Sequence, residues 1–310
     1  MRIGLTGGGA TPQKIVEQAQ RAEAEGFHAL WYASVVQGDP LVALALAGRD
    51  TSTIELGTAV LQTYPCHPLL QAQRAASVAA GMGRAGFTLG LGPSHAANIT
   101  GAYGLSYDRP GRNTEEYLRI LTALLRGEAV DFDGAEWTAH ARAGTVSAPH
   151  RVPVLLAALS PRMLRVAGEY GDGAVLWMAP IAAIDRHVAP RLTAAAEAAG
   201  RPAPRIVAGL PVAVHDDEQE ARAAVAAQAV VYADSPAYQR ILAVGGADSP
   251  ADAAIVGDEK SVEAQLRALL DAGATDIHAH IVPAGPDPRA SAQRTRTLLR
   301  DLAARSVRSI

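Results

Sequence analysis

The feature that most constrains this 310-residue chain is a rhythm: a short apolar run, a turn, then a helical pattern, repeated with no polar linker to break it. The runs fall at residues 3–7, 28–33, 54–60, 87–92, 152–158, 173–178, 206–214 and 275–282. Each is short and nearly continuous in apolar character, as expected of strands buried on both faces of a parallel sheet. Helical patterns follow them at 12–25, 39–49, 68–81, 114–126, 161–170, 181–200, 216–233, 261–272 and 289–305. Thr11-Pro12, Asp39-Pro40 and Ser160-Pro161 supply a capping side chain and then a proline suited to a first helical turn. Parallel strands need crossover helices, and eight such units close into an α/β fold, the (β/α)8 TIM barrel, predicted as a single domain over 1–310. Two stretches, 127–151 and 234–258, interrupt the rhythm and are expected as insertions on the loop face that shape substrate access. In the first, Asp131-Phe132-Asp133-Gly134 suggests a hairpin turn.

Composition narrows the class. With 49% hydrophobic and 19% charged residues, the chain is neither disordered nor collagen-like. A formal net charge of −3 argues against a nucleic-acid partner. Cys66 stands alone, which excludes a disulfide framework and a cysteine-based zinc site. No run of about 18 apolar residues predicts a membrane span, and the opening MRIGLTGGGATPQK lacks the shape of a secretory signal. A cytoplasmic protein is expected.

Several motifs fail on inspection. Gly7-Gly8-Gly9-Ala10-Thr11-Pro12 and Gly90-Leu91-Gly92-Pro93-Ser94-His95 begin like dinucleotide-binding turns, but Pro12 and His95 occupy the place of the last glycine. Neither a phosphate-binding P-loop nor a nucleophile elbow occurs. His278 and His280, two apart on one strand face, find no third metal ligand and read as barrel-lining residues, leaving no metal site. Cys66 reads as a small packing residue. Glu115-Glu116 favours a helix start rather than paired acid–base work.

In a barrel of this kind chemistry sits at the C-terminal strand ends. Those ends offer Gly7, Ser34, Thr58 to Tyr64, Gly92 to His95, Leu159 to Arg162, Trp177 and His280. The mouth is largely apolar and lacks clustered carboxylates, so it suits a flat, uncharged ring and poorly supports glycoside hydrolysis or divalent-metal chemistry. Ser160 opens a helix whose free N–H groups attract phosphate, although it reads equally well as a helix cap alone.

Several segments resemble the luciferase-like monooxygenase superfamily, in its branch that uses the deazaflavin coenzyme F420. They are MRIGLTGGG, LGTAVLQTYPCHPLLQAQRAAS, FTLGLGPSH, DRPGRNTEEYLRILTALLRGE, VPVLLAALSPRMLRVAGEYGDGAVLWMAP and IVGDEKSVEAQLRALLDAGATD. The resemblance implies a non-proline cis peptide at Ala59-Val60 pressed on the ring. It implies Gln62, Gly92 and Ser94 beside the ring or its side chain, and Leu159, Ser160 and Met163 around the phosphate arm. Gly7, Ser34 and Thr58 join this cofactor set, while Tyr64, His67, Trp177 and His280 are expected in the substrate pocket.

The chain also departs from the pattern. Many F420-dependent relatives carry an acid–histidine pair after strand 2, where this chain reads Ala33-Ser34-Val35-Val36-Gln37, and a glutamate after strand 4, where it reads Pro93-Ser94-His95. The sugar-phosphate and alcohol mechanisms therefore do not transfer. Hydride transfer to an activated C=C or C=N of a small molecule is expected, with His95 as the candidate proton donor. An FMN-dependent monooxygenase and a non-catalytic deazaflavin- or flavin-binding protein are the alternatives. A homodimer is what the resemblance implies.

Overall fold

The computed structural model describes residues 1–9, 11–33, 39–233 and 235–307. Eight parallel strands form the frame: β1 (Ile3–Thr6), β2 (Ala29–Tyr32), β3 (Glu55–Thr58), β4 (Phe87–Gly92), β5 (Val154–Ala157), β6 (Gly173–Trp177), β7 (Arg205–Val214) and β8 (Asp276–Ile281). Neighbours pair in chain order, and β8 returns to β1 in the register Gly4↔His278, which closes a TIM barrel. Helices Pro12–Ala24, Pro40–Arg49, Pro68–Met82, Pro110–Leu125 and Pro161–Tyr170 each begin on a proline, whose fixed φ and missing N–H cost nothing in a first turn. Their buried faces, such as Ile15, Val16, Ala19 and Ala22 in the first helix, pack on the outside of the strands.

Inside the barrel, side chains stack in layers. The floor is ionic. Arg2 Nε donates to Asp276 Oδ1 at 2.6 Å, and Arg205 bridges Glu55 Oε1 at 2.9 Å and Asp276 Oδ1 at 2.7 Å. Above it Ala29, Trp31, Leu155, Val175 and Val207 form a separate apolar cluster. Trp31 fits because its neighbours are glycines: a β-carbon at Gly4 would stand 2.7 Å from the indole nitrogen, and one at Gly57 2.4 Å from the ring.

The structure revises several expected boundaries. The helix expected at 114–126 starts at Pro110. The third strand ends at Thr58, turns through a cis Ala59-Val60 peptide, and resumes as Leu61–Gln62 beside β4. The helix expected at 181–200 is broken by a π-helical turn, Ile184–Val188, ahead of Pro190. A helix at Ala96–Tyr103 was not expected.

Both insertions also need correction. The hairpin pairs Val130–Asp133 with Thr138–Ala141, so Asp131-Phe132-Asp133 lie in a strand and the turn begins at Gly134. Because this hairpin follows a helix rather than a strand, it leaves the barrel at the end opposite the mouth. It climbs back along helix Pro110–Leu125, where Glu116 accepts from the backbone N–H groups of Ala135, Glu136 and Trp137. The second insertion is larger than expected. Strand Ile255–Gly257 pairs with the upper end of β7, so Glu259–Asp271 is the crossover helix to β8. Helices Glu218–Ala233 and Pro236–Gly245 therefore belong to the loop over the mouth.

The floor supplies a test. Burial opposes ionisation of Asp276, but the hydrogen bonds and charge of Arg205 win and hold its carboxyl below the usual range. A depressed carboxyl stabilises the fold above its unfolded pKa and loses that contribution as pH falls. Asp276→Ala should destabilise the protein by about 3–5 kcal/mol, because it leaves Glu55 alone to balance the guanidinium groups of Arg2 and Arg205. Denaturant titration at neutral pH checks this, and a loss under about 1 kcal/mol would show that the floor is solvated like an ordinary surface ion pair.

Candidate functional site

Layering carries upward to the mouth. His278 shares the Gly4–Gly209 level and is buried; its Nε2 lies 2.7 Å from Thr6 Oγ1. A β-carbon at Gly209 would sit 3.1 Å from both His278 Nδ1 and the Trp177 ring, so glycine again makes the space. Burial pushes the His278 pKa down to about 3 and lowers that of His280, so both rings are neutral at ordinary pH. Thr6 is exposed although its side chain lies at the top of the barrel interior, so the mouth is open to solvent above it.

One wall of the mouth has almost no side chains. Val60 lies against Gly92, where a β-carbon would be 2.9 Å from Val60 Cγ2 and 3.0 Å from Ala157 Cβ. Gly90 is tighter still, since a β-carbon there would fall 1.9 Å from the Thr58 carbonyl oxygen. Thr58 is turned to this strand contact: its hydroxyl donates to Gly90 O and accepts from Gly90 N, both at 2.8 Å. The strand ends at Ala157, and the chain runs on through Leu159 to Ser160, where helix Pro161–Tyr170 begins. Ser160 Oγ caps the helix by accepting from Met163 N at 3.4 Å. Pro161 brings no N–H, so Arg162 offers the first free donor of that terminus.

The other candidates separate into two groups. Gln62 donates to Ser94 Oγ at 3.1 Å and accepts from Tyr103 O–H at 2.9 Å, which ties the third-strand end to helix Ala96–Tyr103. Ser94 adopts a positive φ of 65°, and its carbonyl accepts from Tyr107 at 2.7 Å. Gly7 donates to Trp31 O at 2.8 Å and lies against the Tyr32 ring. Ser34 lies outside the described residues. Both ring nitrogens of His67 are engaged: its Nδ1 accepts from Leu69 N and its Nε2 meets Thr138 O of the hairpin at 3.0 Å. Tyr64 is buried against Tyr107 at 5.2 Å, and burial pushes its pKa up to about 12. His95 is exposed at the start of helix Ala96–Tyr103, its ring 6.2 Å from Tyr238.

An aromatic file that sequence reasoning missed runs over the opening. His280 meets the Trp177 edge at 5.8 Å, Trp177 meets Tyr232 at 6.2 Å, and Tyr232 meets Tyr238 at 5.1 Å. Gln228, on the same inserted helix as Tyr232, reaches His280 Nε2 at 3.3 Å. The tyrosines were legible as residues, but only the pairing of Ile255–Gly257 with β7 brings their helices over the mouth.

Residues 2–306 match the family described as luciferase-like monooxygenase. The chain is 29% identical over 306 residues to a 5,10-methylenetetrahydromethanopterin reductase of Methanolobus tindarius, covering 88% of this chain and 91% of that one. It is 32% identical over 227 residues to an F420-dependent hydroxymycolic acid dehydrogenase of Mycobacterium tuberculosis, covering 68% of this chain and 62% of the relative. The solved coenzyme F420-dependent tetrahydromethanopterin reductase of Methanopyrus kandleri superposes with a TM-score of 0.78 at 21% identity, covering 97% of each chain.

The buried histidine gives a measurable consequence. A histidine whose folded pKa is about 3, below its ordinary 6.5, keeps its full stabilising contribution above the higher value and loses it as pH falls toward the lower. In a histidine NMR titration His278 should therefore stay neutral across about pH 5–8. A His278 resonance titrating near the ordinary value would mean that water reaches the middle layer of the barrel.

Proposed function

The chain belongs to the luciferase-like monooxygenase family, and from that premise we propose an F420-dependent oxidoreductase acting on a neutral, unsaturated small molecule at the barrel mouth. One observation carries the reading: the side-chain-poor wall of Val60, Gly92 and Ala157 runs directly into the capped helix start at Leu159 and Ser160. A planar tricyclic ring needs a flat, uncharged wall, and a phosphate arm needs free N–H donors at the edge of that wall. The residues present fit both requirements.

When bound, F420 supplies a two-electron hydride carrier. The protein's share is placement. Val60, Gly92 and Ala157 would support one face of the ring, with Gly7, Gln62 and Ser94 at its edge. Leu159, Ser160 and Met163 would hold the arm. Trp177 and His280 face the acceptor under the tyrosines of the inserted helices, which limit access of water. The two histidines are uncharged at working pH, which favours an activated C=C or C=N over a phosphorylated substrate. His95, exposed on the rim, can return a proton only from the solvent side of the mouth. We also infer a homodimer. Val42, Leu46 and Leu70 are exposed around a groove of about 510 Å³ between helices Pro40–Arg49 and Pro68–Met82. A two-fold axis would set such an apolar stripe against its own copy.

Ser160→Leu should weaken F420 binding by about tenfold or more in a fluorescence titration and leave the melting temperature within a few degrees. An unchanged dissociation constant would remove Ser160 from the site, and saturable FMN binding without F420 binding would reverse the cofactor assignment. Leu46→Asp should halve the mass measured by light scattering. An unaltered protein that is already monomeric at micromolar concentration would end the dimer reading.

A further inference from the structure

The break in the helix after β6 has a sequence cause. Pro190 has no N–H to offer the carbonyl of Arg186, four residues earlier, and its ring crowds that carbonyl. The chain answers with the π-helical turn Ile184–Val188. Arg191 covers the carbonyls beside the break, its Nη1 lying 3.4 Å from Arg186 O and 3.2 Å from His187 O. Ile184 and Val188 stay in the core, while His187, itself buried, reaches across to Leu159.

His187 Nε2 lies 2.8 Å from Leu159 O. A carbonyl oxygen only accepts, so Nε2 carries the proton in this contact. The Leu159–Ser160 peptide is trans, and in a trans peptide the N–H points opposite the C=O. Fixing the Leu159 carbonyl on His187 therefore turns the Ser160 N–H away from the π turn. The neighbouring helices hold this geometry rigidly. A β-carbon at Gly168 would stand 2.7 Å from both Ala195 Cβ and Leu192 O, so helices Pro161–Tyr170 and Ala189–Ala198 meet at backbone distance.

We propose that His187 is a positioning residue for the arm of the cofactor: it sets the peptide plane at Leu159–Ser160 and so preorganises the donors that receive the phosphate. This rests on the F420 reading above and concerns only the arm, not the ring. It therefore predicts a split between two probes, F420 itself and FO, the same deazaflavin chromophore without the phosphate.

The experiment is a pair of fluorescence titrations on the full chain. For the unaltered protein F420 should bind more tightly than FO. His187→Leu should weaken F420 binding about tenfold and change FO binding by less than twofold. His187→Gln, whose amide restores an N–H near the position of Nε2, should recover most of the loss. An equal loss for both probes, or no loss for either, overturns the role of His187. Equal affinity of the unaltered protein for F420 and FO, or no binding of F420, overturns instead the placement of the phosphate at Leu159–Ser160, and the proposal with it. Melting temperatures of the variants separate these outcomes from simple unfolding: if His187→Leu does not fold, the partial rescue by His187→Gln carries the same comparison of probes.

Discussion

Five glycines, Gly4, Gly57, Gly90, Gly92 and Gly209, turn their hydrogens toward the barrel axis, and the interior is arranged around the space they leave. Small barrels are ordinarily filled by layers of branched side chains. Here two glycines on opposite sides of Trp31 admit an indole that closes the lower half. Gly209 admits His278 and Trp177. At Gly90 and Gly92 the space is met by the Thr58 backbone, Val60 and the Ala157 methyl group, so the upper half keeps a shallow, flat wall. The same device thus fills the bottom and flattens the top.

The polar groups follow from that division. The ionic floor is distant from the mouth and holds its charges against one another, as buried charges must be held. Near the mouth the buried titratable rings are neutral instead, because His278 and His280 have no carboxylate partner to offset the cost of desolvation. A site built in this way supplies shape and orientation and leaves the electron transfer to a bound carrier. The second insertion, with Tyr232 and Tyr238, adds a cover of the same neutral character. The helix start at Ser160 brings backbone N–H groups to the edge of this wall.

Much of this was legible in the sequence because it is local. The eight strands and the proline-started helices depend on short-range patterning. Thr11, Asp39 and Ser160 cap the helices that their sequence context announces. Where the reading slipped, a longer-range contact had decided. The hairpin turn moved past Asp133 because Glu116, on another element, gathers three N–H groups at residues 135–137. His67 follows the third strand, and its two ring nitrogens meet its own helix start and the hairpin, the second a contact that no local pattern announces. Pro190 was a readable signal that the helix at 181–200 must break, but not a signal of where His187 would then point.

By itself the sequence determined the alternation of strand and helix, the neutral character of the strand ends and the glycine positions, because these depend on chemistry within a few residues. Tertiary structure alone decided which side chains share a level of the barrel, that Trp31 and His278 fill it while Gly92 leaves it open, and that two inserted helices cover it. Those outcomes depend on strand register around a closed cylinder. Closure is a condition on all eight strands at once, and no segment of the chain carries it alone.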